Sequence, residues 1–515
     1  MKRLSKKQMI IFAIGQLGWS MLSGIIGAWL VTFYLPTSGD KAAGATNYII
    51  PGLVIGGFMT ILGLITALSR IFDAVTDPLI ASMSDRHKSP RGRRIPFMMV
   101  AAVPLAIVTV LLFCAPFGSY ESGNVGNILW ISFAVVLFYL FMTMYCTPYN
   151  ALISEFGKTQ EDRMFISTAI SLTFFAGTLL AYTPFVFAGA GINAETSAYE
   201  PKLITGLLVN GGMSRADAYT WSFRISFIVL AVIATVAMLL PTFLLKEKEF
   251  VDTKPSEENV IKSLVSTFKN KDFRTFSISD IMYWVGLTMF QTGLPFFVKV
   301  SMGFDGGMVM VFMGGMTVLS AVFYPFVTAM VKKFGKKKLV IAGFLGLAVC
   351  YSIAAISSIP GLLPEQGHAN AVSWLFGALI MVVAALPMAL LGIIPQSIVA
   401  DVAEAEAVTT GQNREGMFFA ARTFAMKFGQ SLAMILFTSL AVAMPDASST
   451  VDEVFPGKGG MILVAVVAVA FCVAGAVILL FYREKKVMKT IAKEGDEAFM
   501  HAIESEKDLG EEEEK

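Results

Sequence analysis

Leu64-Ile65-Thr66-Ala67-Leu68-Ser69-Arg70-Ile71-Phe72-Asp73-Ala74-Val75-Thr76-Asp77-Pro78-Leu79-Ile80-Ala81-Ser82-Met83-Ser84 is an apolar run with three charges set inside it. The segment around it, 53–84, is long enough to cross about 30 Å of hydrocarbon, which takes roughly 20 apolar residues. A charge at bilayer depth costs about 2.5–3.5 kcal/mol or more, so it persists only where a function or a partner requires it. The run therefore reads as a membrane-spanning helix with a local task. Outward from it, comparable runs recur at 9–35, 95–116, 127–154, 164–189, 220–245, 276–299, 306–331, 338–358, 373–400, 415–444 and 460–482. Composition agrees: of 515 residues, 55% are hydrophobic and only 15% charged, against about 25% charged in soluble chains. The expected fold is an all-α membrane protein of twelve transmembrane helices.

Loop charge gives the orientation, because cytoplasmic loops carry excess Lys and Arg. The N-terminus has Lys2, Arg3, Lys6 and Lys7. The loop after 53–84 has Arg86, Lys88, Arg91, Arg93 and Arg94, and the loop after 306–331 has Lys332, Lys333, Lys336, Lys337 and Lys338. The alternate loops hold few cations: Lys41, Lys202, Arg215, Lys458 and Lys299. Both termini are thus expected in the cytoplasm, in a cell (inner) membrane. Residues 246–275 break the apolar pattern, include Pro255, and read as a linker on the inner membrane surface. The expected organisation is a six-helix bundle over 1–245, the linker, a second bundle over 276–482 and a tail over 483–515. The halves repeat: Asp77-Pro78-Leu79-Ile80-Ala81-Ser82-Met83 and Tyr324-Pro325-Phe326-Val327-Thr328-Ala329-Met330 both precede a basic turn. Internal repeats of this kind are a habit of secondary transporters.

Two further intramembrane charges, Arg422 and Lys427, lie in 415–444. At a rise of about 1.5 Å per residue, Asp73 comes out roughly 16 Å, Thr143 roughly 18 Å and Lys427 roughly 20 Å from the inner ends of their spans. These depths are near the middle of a core about 30 Å thick. Asp73 and Asp77, four apart, share a helix face. Two carboxylates and a hydroxyl suit a hard cation such as Na⁺ or Li⁺, which prefers oxygen ligands. The same pair suits a proton, because burial and like charge both raise a carboxylate's affinity for it. Lys427 is placed to neutralise the pair when the cation is absent. The competing reading is a structural cluster in which Arg70 pairs with Asp73 on its own helix. Against it, the equivalent repeat positions are Ser320 and Tyr324, so the architecture does not need acids there.

Weaker signals surround this set. Trp19, Tyr145, Asn150, Trp284 and Gln291 combine aromatic and hydrogen-bonding side chains within spans, which suits a sugar ring; ordinary helix packing is the competing account. Asp401, Glu404 and Glu406, with Arg414 nearby, stand at an inner end, where pairing with basic loops would make a cytoplasmic gate. Cys114, Cys146, Cys350 and Cys472 have neither disulfide nor metal spacing. His87, His368 and His501 read as loop or tail residues. No nucleophile–base set, phosphate loop or metal cluster argues for an enzyme. No cofactor is expected, and a net charge of +2 does not imply nucleic acid.

A family resemblance rests on three stretches. They are Arg70-Ile71-Phe72-Asp73-Ala74-Val75-Thr76-Asp77-Pro78 with Ser84-Asp85-Arg86 and Gly92-Arg93-Arg94-Ile95-Pro96; Thr147-Pro148-Tyr149-Asn150-Ala151-Leu152-Ile153 with Glu155; and Ala400-Asp401-Val402-Ala403-Glu404-Ala405-Glu406 with Gly411 and Arg414-Glu415-Gly416-Met417-Phe418-Phe419-Ala420. Together they resemble the glycoside–pentoside–hexuronide:cation symporters, the melibiose-permease branch of the major facilitator superfamily. The resemblance implies two pseudo-symmetric six-helix bundles around a central cavity. It implies a coupling cation, Na⁺, Li⁺ or H⁺, held by Asp73, Asp77 and Thr143 with Lys427 and Arg70 close by. There are departures. Where that branch holds a galactoside with two acids and an arginine, this sequence has Ser20, Cys146 and Ser171, and Asn150 replaces a tryptophan. Arg422 stands where the branch is uncharged and is expected to face an anionic substrate such as a uronide.

The resulting expectation is a cation-coupled symporter that imports a glycoside, oligosaccharide or uronide, working as a monomer in the lipid bilayer. A cation-coupled carrier of a lysolipid and a non-transporting membrane sensor are the alternatives. The outer loop 190–220 has no role assigned.

Overall fold

The computed structural model describes residues 3–87, 89–157, 160–192, 198–250, 266–410, 415–450 and 453–492. Twelve helices of seventeen residues or more account for most of them. They are α1 (Lys6–Tyr34), α2 (Ile61–Arg86), α3 (Ile95–Leu111), α4 (Tyr120–Phe156), α5 (Gln160–Ala181), α6 (Arg215–Leu244), α7 (Lys271–Phe296), α8 (Gly307–Phe334), α9 (Lys336–Ser357), α10 (Ala371–Thr410), α11 (Glu415–Ala443) and α12 (Lys458–Leu479). Ten are long and apolar enough to cross a membrane on those grounds alone. The other two are α2, which carries Arg70, Asp73 and Asp77, and α3, which has seventeen residues.

Local sequence sets the helix ends. Ser5 and Gln8 form a reciprocal capping box on α1, satisfying two of the backbone donors that a helix start leaves open. The Thr60 hydroxyl accepts from the Gly63 amide and starts α2. This moves the span predicted from residue 53: Gly52, Gly56 and Gly57 take positive φ values of 92°, 62° and 74°, a backbone that helices exclude and glycine tolerates. At its far end α7 passes into a π-helical turn, Phe297–Ser301. The outer loop holds a two-stranded antiparallel hairpin, Ala190–Ile192 with Tyr199–Pro201, and a short helix, Leu203–Asn210. Residues 251–265 of the expected linker, 493–515 of the tail, and Arg414 of the expected gate lie outside the described residues.

The packing falls into two groups of six. In the first, α1 packs on α5 and α6, α2 on α4, and α3 on α4 and α6. In the second, α7 packs on α11 and α12, α9 on α10 and α12, and α8 on α10. Small residues allow close approach, as in membrane bundles generally. A Cβ at Gly18 would meet the Ala234 carbonyl at 2.5 Å, and one at Gly177 would meet the Ser20 hydroxyl at 2.1 Å. Pro78 and Pro325, the repeat's shared proline, both sit inside the second helix of their group.

Between the groups, α2 and α11 form the main contact. Their outer halves are joined by Ser431 Oγ donating to the Ala67 carbonyl (2.9 Å) and Thr60 Oγ1 donating to Thr438 Oγ1 (2.8 Å). On the face opposite the Lys6 and Leu479 helix ends, further ties cross the junction. Lys299 pairs with Asp40, Lys202 with Asp305 at 2.9 Å, Lys41 with Glu453 at 2.7 Å, and Thr37 donates to Gln366 at 2.8 Å. These ties between the groups lie on this far side or at mid-depth. The four last named hold the two groups together on the far face. Lys299, expected in a loop, is instead buried at 2% exposure in the π-turn, because Asp40 gives its ammonium a partner.

Candidate functional site

Asp73 and Asp77 occupy successive turns of α2 and meet Lys427 of α11 at the junction of the two groups. Lys427 Nζ lies 2.8 Å from Asp73 Oδ1 and 2.6 Å from Asp77 Oδ2, and it donates to the Asp73 carbonyl at 3.3 Å. From α4, Thr143 Oγ1 donates to Asp73 Oδ1 at 2.6 Å and Thr147 Oγ1 donates to Asp77 Oδ1 at 3.3 Å. Two acids one turn apart thus face two threonines one turn apart, and Lys427 bridges the acids. Asp73 is buried and Asp77 half-buried.

Arg70 is less engaged. Its Nη1 is 3.9 Å from Asp73 Oδ2, and its guanidinium lies over the Tyr139 ring at 4.5 Å. The ring's face is negative and attracts a cation. Asp73 and Asp77 carry two negative charges, and Lys427 and Arg70 carry two positive ones. By formal charge the four-residue cluster is therefore neutral overall, within a span where Asp73 is buried and Arg70 and Asp77 are half-buried.

The other candidates separate. Arg422 was expected to face an anionic substrate, but it is tied up within the second group. Its Nε and Nη2 donate to the two oxygens of Asp280 on α7 at 3.0 and 3.2 Å. A guanidinium forked onto a carboxylate offers little free charge to a ligand. Tyr145 is fully buried and donates to the Met238 carbonyl of α6 at 2.9 Å, which places it in the packing of the first group. Ser20 is buried and donates to the Leu17 carbonyl at 3.1 Å, facing α5. Ser171 is exposed and donates to the Ser167 carbonyl. Cys146 and Gln291 are half-buried, and Asn150 is exposed. The indole nitrogens of Trp19 and Trp284 are buried and make no hydrogen bond among the described residues.

Of the gate candidates, Asp401 pairs with Lys336 at 2.6 Å, joining α10 to the start of α9 inside the second group. Glu404 is exposed, and Glu406 accepts from Asn270. On the same face, Glu155 is 2.6 Å from Arg93 and 2.7 Å from Arg94.

Two site residues escaped the sequence reading. Asp280 lies inside the predicted span 276–299, close to its inner end, where a carboxylate is easily taken for an interfacial one. The bidentate contact to Arg422 reveals it. Thr147 repeats the spacing of Asp73 and Asp77: each threonine is 70 positions from its acid. That register was available in the sequence once Thr143 had been chosen.

Similar proteins carry names that bear on this geometry. An uncharacterized symporter of Bacillus subtilis (strain 168), YjmB, is 23% identical over 91% of this chain and 91% of its own length. A lactose permease of Leuconostoc lactis is 24% identical over 58% of this chain and 43% of the permease. An isoprimeverose transporter of Lactiplantibacillus pentosus is 22% identical over 65% of this chain and 61% of its own. Among solved structures, a D-xylose-proton symporter superposes with a TM-score of 0.60 at 15% identity, covering 93% of this chain and 98% of the other. At that identity the likeness shows the fold alone, which is the major facilitator fold. The family model described as MFS/sugar transport protein matches residues 11–485, and the chain belongs to that family.

Proposed function

We propose that this chain is a cation-coupled symporter that imports a glycoside, oligosaccharide or uronide by alternating access across a cell membrane, with both termini cytoplasmic. The bodies that move are the first six helices, within 1–245, and the last six, within 276–482. The observation that carries the reading is the Lys427 ammonium bridging Asp73 and Asp77 across the junction between them. A tethered ammonium and a free monovalent cation compete for the same oxygens. Na⁺ or Li⁺ would take the carboxylates with Thr143 and Thr147 as further oxygen donors, and a proton would take one carboxylate directly. In either case Lys427 is released from α2 and the contact between α2 and α11 loosens. Cation binding and the closure of the two halves are then linked, and by reciprocity substrate and cation raise each other's affinity by one factor. The relatives named as symporters and as sugar permeases support the class of cargo.

The test is the thermal stability of purified protein in NaCl against choline chloride at equal ionic strength, for wild type and Asp77→Asn. A ligand stabilises only the state it binds. Stabilisation by Na⁺ that disappears in the variant is the expected result. If Na⁺ and Li⁺ have no effect, substrate-driven proton uptake in proteoliposomes decides for H⁺. A wild type that shows neither would remove cation coupling from the reading.

A further inference from the structure

The contact between α7 and α11 contains polar atoms that the protein itself leaves without partners. Trp284 Nε1, Thr288 Oγ1 and Gln430 Oε1 are buried and make no hydrogen bond among the described residues. Their positions adjoin on the two packed helices. Trp284 and Thr288 are one turn apart on α7, and a Cβ at Gly429, the neighbour of Gln430, would lie 3.0 Å from Trp284 Cβ. The Trp284 indole lies toward Asp280 without closing a hydrogen bond. Buried polar atoms in folded proteins are nearly always satisfied, and a cluster of exceptions calls for a missing partner.

The chemistry of that partner is constrained from two sides. The first is charge. Arg422 is forked onto Asp280, Lys427 is held by Asp73 and Asp77, and Arg70 lies on Tyr139 beside Asp73. No described cation near this contact is free to neutralise an anionic ligand. The second is hydrogen bonding. The indole only donates, the Gln430 oxygen only accepts, and the Thr288 hydroxyl does both. A carboxylate answers the indole but not the glutamine oxygen. Hydroxyl groups donate and accept, and answer all three, even if the Gln430 amide is turned over.

We propose that Trp284, Thr288 and Gln430 bind the hydroxyl groups of an uncharged sugar, and that the Asp280–Arg422 pair fixes α7 against α11 so that the three stand at one spacing. This rests on the symporter reading and narrows it: the cargo is a neutral glycoside or oligosaccharide and not a uronide. Asp280 and Arg422 are positioning residues in this account.

The experiment is a screen of neutral mono- and disaccharides, lactose included, and of matched uronic acids. Purified full-length protein in NaCl is scored by thermal stabilisation and then by uptake into proteoliposomes. The expected result is that a neutral sugar stabilises and is taken up, and the uronic acids are not. With that sugar, Thr288→Val and Gln430→Leu each weaken binding about tenfold, which is about 1.4 kcal/mol. Thr288→Ser keeps wild-type affinity, and all three variants keep the Na⁺ response, which shows that they are folded. Wild-type affinity in both Thr288→Val and Gln430→Leu overturns the inference and leaves the transport reading standing. So does preferred uptake of a uronic acid. If wild type binds no sugar of either class, the sugar-transport reading fails and the inference falls with it.

Discussion

Lys427 and Arg422 stand five positions apart on α11 and face different parts of the molecule. Lys427 reaches across the junction to Asp73 and Asp77 on α2, in the first group of helices. Arg422 reaches Asp280 on α7, in its own group. Both are buried cations with carboxylate partners, and a count of ion pairs would treat them alike. Their positions give them different duties. A pair inside one rigid group can stay closed throughout a rocking motion, so it need only be well made, and the Arg422 fork uses both oxygens of its partner. A pair across the junction has to open whenever the two groups part. Its ammonium bridges two acids, and under the proposed function a competing cation displaces it. Removing the partner should therefore damage stability in one case and coupling in the other.

The largest effect is expected inside the group. Arg422→Met leaves Asp280 buried and uncompensated, and breaking such a pair costs about 3–5 kcal/mol. The double variant Asp280→Leu/Arg422→Met should recover most of that loss, because replacing both partners of a buried pair with apolar groups is often neutral. Thermal melts of the single and double variants in detergent check this. If the double variant melts as low as the single one, the pair does more than hold α7 to α11.

Across the junction the order reverses. Asp73→Asn/Lys427→Ala restores charge balance, so its melting temperature should lie near that of wild type. Its cation-driven accumulation should still be lost. Coupling energies run about 1–3 kcal/mol, or 5–150-fold in affinity, and that whole factor is at stake. Sugar uptake with and without an imposed Na⁺ or H⁺ gradient measures it. Full coupling in the double variant would make the cluster merely structural.

This contrast also sorts what was legible in the chain. Asp73, Thr143 and Lys427 could be read as one site because helical rise places each near mid-depth, and depth is a one-dimensional quantity that sequence supplies; Asp77 joined them through the face it shares with Asp73. Direction around a helix is not supplied across elements. Arg422 was read as free because nothing local pairs with it; its partner is 142 positions away. Tyr145 and Asn150, five apart on α4, show the same limit. One is buried on a backbone carbonyl of α6 and the other is exposed, and only the packing of α4 in its group decides which. The twelve-helix fold was legible because a bilayer forces every backbone group into helices and leaves only their packing to be learned. The start of α2 was misplaced because positive-φ glycines, not polarity, end the apolar stretch there.

The far face offers a weaker version of the junction pair. Asp40 and Lys299 join the two groups outside the central cluster, next to the π-turn that ends α7. π-helical turns in α-helices often mark functional positions. Asp40→Asn should raise the population open to the far side. A tenfold change corresponds to about 1.4 kcal/mol, and the variant should shift labelling of a cysteine placed at Ser431 by about that factor or less. The Ser431 side chain is buried against Ala67 in the closed form. Unchanged labelling would mean that α2 and α11 close this face without help from the ion pair.

The smallest effect concerns pH, and it separates the far-face pair from any proton-binding step. Burial alone would push the Asp40 carboxyl up. The Lys299 charge and hydrogen bonds from Lys299 and Thr37 outweigh it and hold the group below the usual carboxylate range. A depressed carboxyl contributes stability that is present above its unfolded value, about 3.9, and is lost only as pH falls through the folded value. The melting-temperature difference between wild type and Asp40→Asn should therefore stay flat from pH 8 to pH 5. It should shrink only in more acidic solution. Any pH dependence of uptake within that flat window must then come from elsewhere, and the same measurement on Asp77→Asn tests the central cluster as its source. A difference at Asp40 that fades between pH 7 and pH 5 would show that its carboxyl is not held low, and that the far-face pair also senses protons.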